Sequence, residues 1–336
     1  MDAKKDWDKI LKIIDRNQKI LITTHIHPDG DGLGSEKAIH FLLNKLGKDP
    51  FILNSDPLPY EYEFLNQDNI FNTYEDDIHS HLIDEYDLIM VLDIGSIIRL
   101  GPVGEKLKTT STPVICIDHH PIRHDSFDYE IVDHNVSATA ILLYELFNEY
   151  FPEYLNLEVA KALYTGILTD TGSFRFKNTD TQTMEIATEL IKMGVVPGDI
   201  YNKVYENKLP EQTKLLGMVL QNINYELDGK IAWFKLTHDL LNKAGANASE
   251  VEGFTDFVRG IRGVEVAVKF MENSENHTRI NFRSKGEIVI NKFAKQFNGG
   301  GHPFAAGAEI FEDIETSIDI LLPKLKDCVQ KQLEEN

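Results

Sequence analysis

Four short stretches of this 336-residue chain gather imidazole and carboxylate side chains at spacings suited to metal-assisted chemistry. The first is His25-Ile-His-Pro-Asp29-Gly-Asp31 and the second a single Asp93 behind an apolar run; the third is Asp118-His119-His120 and the fourth Asp170 in Thr-Asp-Thr-Gly. Taken singly each is weak. A lone histidine after a strand is usually a hydrogen-bonded structural residue, and Asp-Gly-Asp-Gly is as readily a turn or a Ca²⁺-like loop. Brought into one crevice, so many carboxylates would repel one another and raise one another's pKa values. A pair of divalent cations removes that conflict. Carboxylates with a few imidazoles form a mostly hard ligand set, which favours Mn²⁺ or Mg²⁺ over structural zinc.

The elements that must bring these groups together are visible as apolar runs of strand length. Residues 19–24 (KILITT), 50–53, 88–92 (LIMVL) and 114–117 (VICI) are such runs, and three of them end at the first three clusters. Residues 34–46 carry Ala38, Phe41, Leu42 and Leu46 at helical spacing. Further helical segments are predicted at 137–147 and 157–168, the second running into Asp170. Continuous apolar strands alternating with helices predict an α/β domain, a parallel sheet with helices on both faces. In that architecture ligands gather at the carboxyl ends of the strands, where these residues fall.

Residues 181–222 read as helical, broken by Gly194, Pro197-Gly198 and Pro210, and the interdomain connection is placed there. Beyond it, 222–227 and 231–236 flank Asp228-Gly229, a hairpin signal. A helix near 251–257, strands at 264–271 and 278–282, a helix at 289–297 and a closing amphipathic helix at 314–333 complete a smaller α+β domain. The expected division is 1–195, a helical linker at 196–221, and 222–336.

Composition narrows the classes of function. With 42% hydrophobic residues and a net charge of −20, the chain reads as an acidic globular protein. Long duplex nucleic acid, which needs an excess of Lys and Arg, is excluded. The charge is uneven, since residues 229–308 hold eleven Lys and Arg against eight Asp and Glu, a local +3. Two cysteines, Cys116 and Cys328, exclude a disulfide scaffold and predict a reducing cytoplasmic setting. No apolar leader and no run of eighteen apolar residues is present, so neither export nor a membrane partner is expected.

The motifs His25-Ile-His-Pro-Asp29-Gly-Asp31-Gly-Leu-Gly-Ser35, Leu-Asp93-Ile-Gly-Ser, Asp118-His119-His120 and Thr-Gly-Ile-Leu-Thr-Asp170-Thr-Gly-Ser-Phe-Arg resemble the four motifs of the DHH phosphoesterase superfamily. Gly299-Gly300-Gly301-His302 followed by Ala305-Ala306-Gly307 resembles the signature of the DHHA1 domain. The resemblance spans nearly the whole chain. It implies an N-terminal DHH domain, a C-terminal DHHA1 domain and two divalent ions, most naturally Mn²⁺. His25, Asp29 and Asp93 would hold one ion, and Asp31, Asp93, His119 and Asp170 the other. His120 would face the substrate phosphate, and Asp118 would orient a histidine or cap its strand end.

In the second domain the resemblance implies that Arg283, Ser284, the Gly299–Gly301 backbone and His302 bind phosphate. In the first, Arg99 and Arg175 are further candidate cations, each equally suited to pairing with a surface acid. Phe174 and Phe176 are suited to stacking a base or to core packing. A chain of this size with these two domains is similar to the bacterial oligoribonuclease and 3′-phosphoadenosine 5′-phosphate (pAp) phosphatase group. The implied substrates are oligoribonucleotides of two to five residues, linear dinucleotides and pAp. Alternatives are a cyclic-dinucleotide phosphodiesterase, a family II inorganic pyrophosphatase, against which His302 argues, and a nucleotide-binding regulatory module without catalysis. Oligomeric state stays open, a homodimer included.

Overall fold

The computed structural model describes residues 6–120, 127–251 and 253–335. It divides into two compact units, Met1–Asn207 and Lys208–Asn336. The first is built on β1 (Lys19–Thr23), β2 (Asp49–Asn54), β3 (Phe71–Thr73), β4 (Leu88–Leu92), β5 (Val114–Asp118) and β6 (Tyr129–Val132). Its helices are α1 (Trp7–Arg16), α2 (Gly30–Lys45), α3 (Asp76–His79), α4 (Gly101–Leu107), α5 (Thr139–Tyr150), α6 (Leu157–Asp170), α7 (Thr181–Lys192) and α8 (Pro197–Tyr205). All strand pairs are parallel, in the order β3-β2-β1-β4-β5-β6.

Strand periodicity sorts the apolar runs between two cores. Ile20, Ile22, Leu88, Met90, Leu92, Ile115 and Ile117 face a core shared with α2, α5 and α6. Leu21, Ile89, Val91, Val114 and Cys116 face the opposite core with Val103 and Leu107 of α4. Runs such as LIMVL are therefore apolar throughout because both faces of the sheet are covered, as the sequence implies. The strand order reverses between β1 and β4, and ligand sites of open α/β sheets lie at this switch point, outside the carboxyl ends of the strands.

The second unit carries β7 (Asn224–Glu226), β8 (Ile231–Leu236), β9 (Val266–Ser274), β10 (His277–Ser284), β11 (Gly300–His302) and β12 (Ala305–Ile310). Its helices are α9 (Pro210–Gln221), α10 (His238–Ala244), α11 (Phe254–Arg259), α12 (Asn291–Ala294) and α13 (Ile314–Glu335). The sheet runs β11-β12-β10-β9-β8-β7, with β8 and β9 parallel and the other pairs antiparallel. Leu321 and Leu325 of α13 share a core with Val266, Val268, Phe270 and Phe282. Leu215 and Val219 of α9, with Phe254 and Val258 of α11, share another with Ala232, Phe234 and Ala267.

Several local readings change. Helix α2 starts at Gly30 rather than 34, because the Asp29 carboxylate accepts the N–H groups of Asp31 and Gly32 and caps it. The helix expected over 289–297 shrinks to α12 and a 3₁₀ turn, Lys295–Phe297, stopped by Asn298 at φ +52°. The segment 196–221 holds two helices with different allegiances. Ile200 and Val204 of α8 are buried in the first core, and Leu215 and Val219 of α9 in the second. Gly300 and Gly301, with His302, form the short strand β11, and Gly299 immediately precedes it. No helix among the described residues is long and apolar enough to cross a membrane.

Candidate metal centre

The loop after β1 supplies His25, the start of α2 supplies Asp29 and Asp31, the residue after β4 is Asp93, the end of β5 leads into His119 and His120, and α6 ends on Asp170. Among the described residues, three groups that could hold a metal result, each with donor atoms within 4.8 Å of one another: His25, Asp29 and Asp93; Asp31, His119 and Asp170; Asp93, His119 and His120. Asp93 joins them by dividing its oxygens. Oδ2 lies 3.6 Å from His25 Nε2, and Oδ1 lies 3.6 Å from His119 Nε2 and 3.4 Å from His120 Nδ1. A left-handed φ of +54° at Asp93, rare for a residue with a side chain, turns the carboxylate to that position.

His25 and His119 are each oriented from behind by a backbone carbonyl. His25 Nδ1 is 2.7 Å from the Ile26 carbonyl and His119 Nδ1 is 3.3 Å from the Val136 carbonyl. A carbonyl only accepts, so each Nδ1 carries the hydrogen, and Nε2 of each ring is left facing carboxylates. His119 Nε2 is buried without a hydrogen-bond partner and faces Asp170, Asp93 and Asp31 oxygens at 3.3, 3.6 and 4.0 Å. His25 Nε2 faces Asp29 and Asp93, each at 3.6 Å. A lone pair aimed at anionic oxygens is repulsive unless a cation stands among them, so the residues present fit divalent metals.

Electrostatics of the metal-free site express the same demand. Burial, joined by the charges of Asp93, Asp170 and Asp29, pushes the Asp31 carboxyl well above the ordinary range. Burial and the charges of Asp93 and Asp29 do the same to Asp170. Burial opposes protonation of His25, but hydrogen bonds to Asp29 and Asp93 overcome it and raise the ring to about 10. Burial would raise Asp93 as well; the His25 hydrogen bond and the charges of His120 and His119 outweigh it and hold that carboxyl low. Without metal, protons must take the place of cations.

Asp118 lies behind His120 rather than among the ligand groups. Its Oδ1 accepts the His120 N–H at 3.0 Å and lies 2.9 Å from His120 Nδ1, while Oδ2 accepts the Gly95 N–H at 2.7 Å. Arg99 is adjacent, its carbonyl accepting the Ile26 N–H at 2.6 Å and its charge opposing protonation of His25. Arg175 is turned onto its own loop, Nε donating to the Gly172 carbonyl at 2.6 Å. Phe174 packs against Tyr164 and Phe176 is exposed.

A helix over 137–147 is expected from the sequence, but the contacts that its start makes with the carboxylates are not. Thr139 and Ala140 donate their backbone N–H groups to Asp31 Oδ2 and Oδ1 at 2.6 and 2.9 Å, and the Thr139 hydroxyl donates to Asp93 Oδ1 at 3.1 Å. The positive end of a twelve-residue helix thus supports a carboxylate that burial disfavours. Ser137 exchanges a hydrogen bond with Thr183 at 2.8 Å.

In the second unit, strand register gathers the candidate phosphate-binding residues. Arg283 of β10 is opposite Ala305 of β12, which is opposite His302 of β11. Residues directly opposite in antiparallel strands share a face, so Arg283 and His302 flank a small side chain on one side of the sheet. Arg283 Nη1 donates to the Phe282 carbonyl at 3.2 Å and its Nε lies 3.7 Å from Asp256 Oδ2. Ser284 is buried, its hydroxyl accepting the Gly286 N–H. Two of the three glycines are required by packing. A Cβ on Gly299 would stand 2.1 Å from the Gly307 carbonyl oxygen, and one on Gly301, at φ +131°, 2.5 Å from that of Ala305.

Comparison with known proteins gives matches over both units. Residues 19–167 match the DHH family, N-terminal domain, and residues 229–331 match the DHHA1 domain. The chain is 33% identical over 313 residues to the "bifunctional oligoribonuclease and PAP phosphatase NrnA" of Bacillus subtilis, covering 90% of this chain and 93% of that one. A protein of the same description from Thermus thermophilus is 29% identical over 314 residues, covering 90% and 89%. Among solved structures, an exopolyphosphatase-related protein from Bacteroides fragilis superposes with a TM-score of 0.87 at 27% identity, covering 98% and 95% of the two chains.

Proposed function

Because the chain belongs to the DHH/DHHA1 phosphoesterase family, we propose that it hydrolyses very short oligoribonucleotides to 5′-mononucleotides and dephosphorylates pAp to AMP, with Mn²⁺ as its metal. The observation that carries this reading is the divided carboxylate of Asp93, which serves both histidine–carboxylate groups at once.

His25, Asp29 and Asp93 would hold one ion; Asp31, Asp93, His119 and Asp170 would hold the other. Two divalent ions bound there would supply Lewis-acid activation of water and neutralisation of charge on the phosphoryl oxygens. His120, fixed by Asp118, presents its ring to the reacting phosphate and donates a hydrogen bond or a proton toward the leaving oxygen. No side-chain nucleophile is needed. In the second unit, Arg283 and His302 provide a guanidinium and an imidazole for a substrate phosphate. The net charge of −20 disfavours long polyanions and agrees with substrates of a few nucleotides.

Product analysis with Mn²⁺ on pAp, pApA, pGpG, a 5-mer, a 24-mer, cyclic dinucleotides and pyrophosphate tests the reading. AMP from pAp and 5′-mononucleotides from pApA, pGpG and the 5-mer are expected. Turnover confined to pyrophosphate or to cyclic dinucleotides would replace the proposal with one of those activities.

A further inference from the structure

Glu36 is fully buried in α2, five residues beyond Asp31 and outside the ligand groups. Its Oε2 accepts the side-chain amide of Asn54 at 2.8 Å, and its Oε1 is buried with no hydrogen-bond partner. Asn54 is the last residue of β2 and only 2% exposed. Its Oδ1 accepts the backbone N–H of Thr24 at 3.1 Å and the hydroxyl of Thr23 at 3.5 Å. Thr24 in turn donates its hydroxyl to the Leu92 carbonyl at 2.8 Å. Thr24 immediately precedes His25, and Leu92 immediately precedes Asp93.

Polar groups this deep are costly unless the chain of hydrogen bonds does something that apolar packing could not. An amide at position 54 left to itself could rotate. With Nδ2 held by Glu36, its oxygen is fixed toward Thr24, where it accepts a main-chain N–H just past the end of β1. We propose that Glu36 is a positioning residue, which through Asn54 and Thr24 sets the ends of β1 and β4 and with them the metal ligands His25 and Asp93. The inference rests on the metal-centre reading above. Only an acceptor is required of Glu36, not a charge. Burial, partly offset by the Asn54 hydrogen bond, raises its carboxyl to about 8, so a neutral side chain makes the bond at neutral pH.

The test compares wild type with Glu36→Ala, Glu36→Gln and Asn54→Ala, the last leaving α2 itself unaltered. Hydrogen–deuterium exchange of peptides covering 19–27 and 88–95 is measured in metal-free protein, and Mn²⁺ affinity is measured by calorimetry. Glu36→Ala and Asn54→Ala should speed exchange in both peptides and weaken Mn²⁺ binding about tenfold, the loss usual when a group orienting a ligand is removed. Glu36→Gln should keep both at wild-type values. The proposal is overturned if the alanine variants lower only the melting temperature, or if glutamine fails as badly as alanine. Wild-type protein that bound no Mn²⁺ would defeat the metal reading, and the exchange data alone would then decide whether Glu36 orders the two strand ends.

Discussion

The backbone N–H of Thr139 donates to Asp31 Oδ2 at 2.6 Å, across 108 residues of sequence and from the first turn of α5. The same residue donates its hydroxyl to Asp93 Oδ1, so one helix start touches a carboxylate from each of two ligand groups. The two contacts are separable, since the backbone bond survives any side chain and the hydroxyl bond does not. Thr139→Val, similar in shape, is expected to lower Mn²⁺ affinity and kcat by about tenfold, while Thr139→Ser stays near wild type. Calorimetric titration beside steady-state kinetics on pApA checks both variants. Equal behaviour of the two would remove the hydroxyl from the site's support.

Asp93→Asn keeps the shape of the side chain proposed to bridge the two ions and removes its charge. Both groups lose a shared anion, so the stabilisation that Mn²⁺ gives to the folded protein should largely vanish. Turnover should fall on the order of 10³-fold. Thermal melts with and without Mn²⁺, run beside the pApA assay, read the two effects independently. A variant that retained its Mn²⁺-dependent shift in melting temperature would show that Asp93 does not bridge.

Glu36 makes stability depend on pH in a definite direction. Its ordinary value is 4.5 and the fold raises it to about 8, through burial opposed by the Asn54 hydrogen bond and the charge of His25. Below pH 4.5 both folded and unfolded forms carry the proton. Between 4.5 and about 8 the unfolded chain gives it up while the folded one keeps it, so stability declines as pH rises and levels off above the folded value. Glu36→Gln has no such proton. The difference in denaturation free energy between wild type and Glu36→Gln should therefore move in favour of the variant from pH 5 to pH 9, by a few kcal/mol at most. Urea titrations of metal-free protein at those two pH values measure it, and parallel curves would contradict the burial argument.

The glycine triplet separates packing from ligand binding. A Cβ at 299 meets the Gly307 carbonyl oxygen at 2.1 Å, whereas one at 300 meets nothing within 4 Å. Gly299→Ala should cost about 1–3 kcal/mol, and Gly300→Ala should change stability by less than about 0.5 kcal/mol. Chemical denaturation followed at Trp233, which lies on β8 of this unit, distinguishes them.

What the sequence revealed about this site follows from how each part is encoded. β4 and β5 are legible because a strand covered on both faces must be apolar throughout, and Asp93 and the Asp118-His119-His120 run stand out as the polar residues at their ends. β3 (Phe71–Thr73) and β6 (Tyr129–Val132) are short edge strands of mixed polarity, which carry no such signal. The support of Asp31 comes from main-chain N–H groups, which every residue but proline possesses, so no residue type marks it. Glu36 sits beside Lys37 like an ordinary surface pair. Only the packing of α2 between the sheet and α5 and α6 shows that both are buried. Gly299–Gly301 stand out because glycine serves close backbone approach of any kind, and at two of the three the approaching group is a neighbouring strand, a role that residue type alone does not distinguish from contact with phosphate.

Arg283 and His302 owe their proximity to Ala305, the residue that both strands oppose. If the two side chains hold one phosphate, each variant should act on KM more than on kcat, because the interaction is equal in ground and transition states. Arg283→Ala is expected to raise KM for pAp about tenfold or more. Arg283→Lys should recover little of that loss, since an ammonium cannot reproduce the planar fork of a guanidinium. His302→Ala should raise KM less. The double variant is the decisive one. Two groups on a shared phosphate couple, so the combined loss should differ from the product of the single losses. Kinetics of the four proteins on pAp close the cycle. Strict multiplicativity, or a loss confined to kcat, would place the two residues at separate tasks despite their common face.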